Sequence, residues 1–118
     1  MKTWDLMQID MPNGTRSPVV LHSNEDQARA VLIGIAAGQE LGDHEVREGA
    51  FVTVVEGTVT VSAGNESFAG ETGSLFYFEP HERHSIASED GARILLVLAK
   101  WPAPDHYEDG ERELAARD

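Results

Sequence analysis

Apolar residues in this chain come in short runs broken by glycine, proline and small polar residues, and the three-to-four-residue spacing of an amphipathic helix is nearly absent from its body. That pattern predicts an all-β sandwich or barrel. The runs mark strands at Pro18–His22, Ala30–Ala36, Ala50–Val55, Thr58–Ala63, Leu75–Phe78, His84–Ala87 and Ala92–Ala99. Between them lie AGQELGD, EG, AGNES, AGETGS, EPHER and SEDG, each carrying glycine or proline where the backbone must reverse.

Two runs depart from alternation. AVLIGIA and ILLVLA are apolar at every position, whereas TVTVS after Gly57 alternates between apolar and polar. A half-exposed strand alternates, so these two strands require cover on both faces. The expectation is that a second copy supplies the outer cover and the protein is a homodimer; a strand buried wholly within the monomer is the alternative.

The length, 118 residues, suits one domain with a core of its own. Its expected limits are 1–104 for the barrel with its N-terminal strands and 105–118 for a charged tail. The chain's end, WPAPDHYEDGERELAARD, is proline-punctuated and then strongly charged, and Glu111–Arg117 suits one or two frayed helical turns. No cysteine is present, which excludes disulfides and thiolate chemistry. A net charge of -12 repels phosphate backbones and anionic lipid, so neither nucleic acid nor membrane is an expected partner. No apolar run reaches signal-peptide or membrane-spanning length, and the expected location is cytoplasmic.

Candidate chemistry gathers in GSLFYFEPHERHS, where His81 and His84 follow the most aromatic strand. Together with GQELGDHEVREGAFVTVVEG, Gly38 to Gly57, the segment Gly73 to His84 resembles the two motifs of the cupin superfamily in order, internal spacing and intervening hairpin. The resemblance implies a double-stranded β-helix, a jelly-roll barrel of antiparallel strands closed around a cavity. It also implies a metal site of imidazoles and a carboxylate in that cavity. His44, which follows Gly38 after five intervening residues, matches the first motif histidine, and His84, eleven positions after Gly73, matches the last. Val46 stands at the second histidine position and Ala50 at the glutamate position, so two of the four ligand positions are hydrocarbon.

Glu48 and His81 are the candidate replacements. His44, Val46, Glu48 and Ala50 share one face if the segment stays extended, which aims Glu48 inward; a break at Gly49 turns it outward. His81 belongs either to the rim of the site or to the turn that Pro80 starts. By the same parity Ala50, Val52 and Val54 face the cavity, while Phe76 and Phe78 share a face whose direction parity leaves open. Val46, Ala50, Val52, Val54, Phe76 and Phe78 thus form the candidate pocket lining. His22 reads as a surface or packing residue, and His106 beside Tyr107 as part of a tail packed on the barrel.

The resemblance implies a small-molecule ligand, with or without a divalent transition metal (Fe, Mn, Ni or Zn) held by His44 and His84. A metal there would serve as a Lewis acid, or bind oxygen if it is iron. The cupin superfamily spans isomerases, dioxygenases, lyases, epimerases, seed storage proteins and sugar-sensing domains, so the fold leaves enzyme, metal-free binding module and structural subunit with a vestigial pocket all open.

Overall fold

Alternation along the strands sorts side chains into a barrel interior and an exterior. In the computed structural model, which describes residues 1–11 and 16–105, the strands are β1 Arg16–Ser23, β2 Gln27–Ile35, β3 Gln39–His44, β4 Gly49–Ala63, β5 Glu66–Glu71, β6 Leu75–Phe78, β7 His84–Ser88 and β8 Ala92–Trp101. They form one curled sheet in the order β1-β2-β8-β4-β7-β3, with β5 and β6 also paired to β4, and every pairing is antiparallel. This is the jelly-roll barrel that the resemblance implies. Among the described residues no helix is long and apolar enough to cross a membrane. The expected tail helix Glu111–Arg117 and the His106–Tyr107 pair lie outside the described residues.

Three features correct the strand reading. Glu56-Gly57 is no reversal: Ala50–Val55 and Thr58–Ala63 are two halves of the single strand β4. The register with β8 slips between Val54 and Glu56, a bulge that bends the strand, and Gly57 sits there at φ +90°. A β-carbon on Gly57 would also run into the Gly91 carbonyl oxygen. The bend lets the first half of β4 pair with β6 and β8, and the second half with β5 and β7.

The segments between strands hide the other two corrections, β3 within AGQELGD and β5 between the two glycine turns. Both are six-residue strands at the margins of the sheet. Margins tolerate polar and charged residues, so Gln39, Glu40, Asp43, Glu66 and Glu71 leave no apolar run to read.

Inward rows cross the sheet in register. Val31, Leu96, Val52 and Phe76 make one row, Ile33, Ile94 and Val54 the next, and Leu98, Ala50 and Phe78 a third. From the other half Leu41, Ile86 and Val61 face them. Each fully buried side chain of this kind contributes about 1.5–3 kcal/mol relative to exposure.

The doubly apolar strands behave differently from each other. Val31, Leu32 and Ile33 are all buried within one chain, so β2 finds cover on both faces without a second copy. Arg93 helps, because its guanidinium donates to the carbonyls of Leu6 and Ile9 and holds the N-terminal segment near the outer side of this sheet. Leu95, Leu96 and Val97 on β8 are only partly buried.

Candidate functional site

His44 closes β3 and His84 opens β7, and the antiparallel register sets them directly opposite each other. Their ring centroids are 4.5 Å apart and the planes are tilted by 58°. Each ring is steered by the carbonyl two residues before it, with Nδ1 of His44 at 2.5 Å from the Gly42 oxygen and Nδ1 of His84 at 3.0 Å from the Glu82 oxygen. A carbonyl only accepts, so both Nδ1 atoms carry the proton, and Nε2 is the nitrogen left to accept wherever the ring is neutral. The Asp43–Arg83 ion pair, at 3.1 Å, ties together the neighbouring positions of the two strands.

His84 is 3 % exposed and shares the inward face of β7 with Ile86. The Phe78 ring stacks on it at 3.8 Å between centroids, 7° from parallel. Burial pushes the His84 pKa below its ordinary 6.5, partly offset by the bond to the Glu82 carbonyl. A charge on nearby His44 lowers it further, and the carboxylates of Glu82 and Asp43 act the other way. His84 is therefore neutral at pH 7.

Around the pair the walls are hydrocarbon. Ala50 is completely buried and lies opposite Phe78, while Val52 and Val54 continue inward behind it. Phe78 faces in and Leu75 and Tyr77 face out, which settles the direction that parity left open. Phe76 also turns inward over Gly70, where a β-carbon would come within 2.7 Å of its ring. Val46 is half-buried against the core.

Glu48 and His81 lie elsewhere. β3 ends at His44 and β4 begins at Gly49, so the segment does not stay extended and alternation is not carried from His44 to Glu48. Glu48 is buried, and its Oε2 accepts the Ala103 N–H at 2.9 Å. His81 takes a left-handed backbone, φ +68°, unusual for a residue with a β-carbon. Its N–H donates to the Val46 carbonyl at 2.8 Å, and its Nε2 lies 2.8 Å from Asp105 Oδ2. Arg47 Nη1 donates to the Asp105 carbonyl at 2.6 Å. Glu48, His81 and Asp105 line a cleft of about 530 Å³ together with Lys100, Asp26 and Glu25, and neither His44 nor His84 lines it.

These positions decide what the site can hold. Among the described residues no group of three or more His, Asp or Glu side chains is placed to bind one metal ion. His44 and His84 offer two nitrogen donors, where three protein ligands are the usual minimum for a catalytic metal. The described residues fall one ligand short of such a site. They place two imidazoles, each bonded through Nδ1 to a carbonyl, beside an apolar wall. His22, half-buried on β1 opposite Ala30, is remote in the sheet from this pair.

Sequence reasoning gave no weight to Asp105, Ala103 and Arg47, and only backbone geometry reveals their contacts with the two loops. The carbonyls of Gly42 and Glu82 were equally invisible, since any residue supplies a carbonyl.

The family model described as Cupin domain matches residues 32–98, a span that holds both histidines. A search of curated proteins finds no match. Among solved structures the chain is similar to an RmlC-like cupin from Shewanella frigidimarina, with 24 % identity, a TM-score of 0.71, and 84 % of this chain and 88 % of that one covered. It is also similar to an RmlC-like cupin protein from Desulfovibrio desulfuricans, with 18 % identity, a TM-score of 0.75 and coverage of 84 % and 96 %. A Klebsiella pneumoniae protein with a double-stranded β-helix domain gives 18 % identity, a TM-score of 0.75 and coverage of 87 % and 93 %. At such identities the likeness is one of fold.

Proposed function

The chain belongs to the cupin family, and from that premise we propose that its barrel binds a small, largely apolar molecule through a hydrogen-bond donor that the molecule presents to His44 and His84, with no resident metal. The carrying observation is the pair of Nδ1–carbonyl bonds, which leave Nε2 as the acceptor on both rings. The burial that keeps His84 neutral preserves this acceptor at pH 7. Ala50 and Val46, standing where a carboxylate and an imidazole would be needed, remove the charge that would hold a cation and leave apolar surface instead. A site of this composition, mainly hydrocarbon with a few convergent polar atoms, suits a neutral ligand better than an ionic one.

The test has two arms. Elemental analysis of protein purified without an affinity tag or chelator should show substoichiometric Fe, Mn, Ni and Zn. Nitrogen NMR of the histidine rings should show Nε2 of His44 and His84 shifting on titration with phenol, which donates a hydrogen bond, and hardly moving with anisole, which cannot. A stoichiometric metal lost on either His44→Ala or His84→Ala would establish the metal-held site instead. Equal response to phenol and anisole would reject the donor requirement.

A further inference from the structure

His84 is nearly shut off from solvent, so a molecule reaching it must pass the barrel end that surrounds it. Two loops close that end. Residues 45–48 run from His44 on β3 to Gly49 on β4, and residues 79–83 run from Phe78 on β6 to His84 on β7. Each crosses from one half of the barrel to the other. The chain leaving β8 after Trp101 is fastened to both loops, to the first through Glu48 and Arg47 and to the second through His81.

We propose that residues 102–105 are a clasp on this end of the barrel, whose release admits small molecules to His44 and His84. The proposal rests on reading those histidines as the binding site. Its support is the uneven strength of the fastenings. The root is firm: Trp101 is buried, its carbonyl accepts the Asp26 N–H at 2.7 Å, and the Arg29 guanidinium lies 4.8 Å from its ring centroid. The middle is firm as well, because the Ala103 N–H donates to a buried carboxyl oxygen of Glu48, a bond shielded from water.

The fastening to the second loop is the weak one. The His81 and Asp105 side chains are 49 % and 59 % exposed, and a pair so open to water holds loosely. It also fastens the residue with the least comfortable backbone. His81 keeps its left-handed φ while Val46 holds its N–H and Asp105 holds its ring. When the Asp105 side chain lets go, the 79–82 turn keeps its Glu79–Glu82 bonds and its bond to Val46 but loses its tie to the clasp, and this turn leads directly into His84. A segment held firmly to the first loop and loosely to the second has the makings of two discrete arrangements.

The experiment measures access to His84 without any ligand. Diethyl pyrocarbonate modifies histidine nitrogens, and mass spectrometry gives the rate at His84 relative to N-acetylhistidine added to the same reaction. Hydrogen exchange at the Ala103 amide reports opening of the clasp itself. Three proteins are compared: the wild type, Asp105→Ala, and Asp105→Ala combined with Glu48→Gln. The double variant should modify His84 about tenfold faster on that scale, the change in opening that follows loss of roughly one buried hydrogen bond. Asp105→Ala should fall between, and Ala103 exchange should rise in step.

If the double variant fails to fold, Asp105→Ala with His81→Asn takes its place, since asparagine tolerates the left-handed backbone. Unchanged His84 modification where Ala103 exchange has risen overturns the clasp, and so does Ala103 exchange that stays at its wild-type rate. A protein whose clasp opens as expected but whose histidines ignore phenol keeps the clasp and loses the binding reading.

Discussion

Phe78 and His84 stack across the barrel, centroids 3.8 Å apart and planes 7° from parallel, joining β6 in one half of the sheet to β7 in the other. The contact couples folding to the protonation of one imidazole. Burial holds the His84 pKa in the folded chain below the ordinary 6.5 that applies once the chain unfolds. Between those two values the unfolded state binds the extra proton, so stability is lost as pH falls from about 6.5 toward the folded pKa, and the loss is complete below it. The wild-type thermal midpoint should drop over that window. His84→Gln, which cannot take a proton, should lack that part of the drop. Parallel pH profiles for the two proteins would show that His84 is not shielded.

Removing the Phe78 ring should cost stability and release the imidazole together. Phe78→Ala deletes a buried aromatic side chain, which typically costs about 3–5 kcal/mol. It also opens the His84 face to water, so NMR titration should show the His84 pKa moving back toward 6.5. Phe78→Leu should show a smaller version of both effects. A large stability loss with an unmoved pKa would mean that the stack packs the core without shielding the ring.

The sequence carried the barrel through the runs that alternate or stay wholly apolar, and it lost the strands that do neither. Gln39–His44 and Glu66–Glu71 lie at sheet margins, where packing demands little, so their composition looks like loop. Gly57 was misread because glycine serves a reversal and a bulge equally well through the same freedom at positive φ. At the site, His44 and His84 were legible because fixed spacing from Gly38 and Gly73 marks them. Glu48 was placed by strand parity, and parity ends where the strand does. The fastening of Ala103 and Asp105 to the two loops left no trace in composition, because it depends on where the chain goes after Trp101.

The outer rows Leu32-Leu95-Thr53-Leu75 and Ala30-Val97-Phe51-Tyr77 contain no charged side chain, although the chain as a whole carries -12. Phe51, Leu75 and Tyr77 in these rows are exposed, and Phe51 packs its ring 4.8 Å from that of Tyr77. We propose that two copies pair through this face, since elsewhere their like charges repel. Sedimentation at micromolar concentration should give a dimer that tightens as salt is added, because screening weakens the repulsion while leaving apolar burial intact. Phe51→Glu should return it to monomer. A wild-type monomer at both low and high salt would reject the pairing.

Restoring the family carboxylate gives the sharpest test of the proposal that the site holds no resident metal. Ala50 is completely buried opposite Phe78, so Ala50→Glu forces a charge and added volume among hydrocarbon side chains. Without metal the variant should unfold at a lower temperature than the wild type. The new carboxylate would join His44 and His84, raising the donor set from two to the three that a divalent ion usually needs. Added Zn²⁺ should then recover part of the lost stability in Ala50→Glu by binding only the folded state, and should leave the wild-type midpoint unchanged. Combining Ala50→Glu with His84→Ala should abolish the rescue. If Zn²⁺ raises the wild-type midpoint as much as the variant's, the two imidazoles already suffice for a metal, and the hydrocarbon at Ala50 is not what keeps one out.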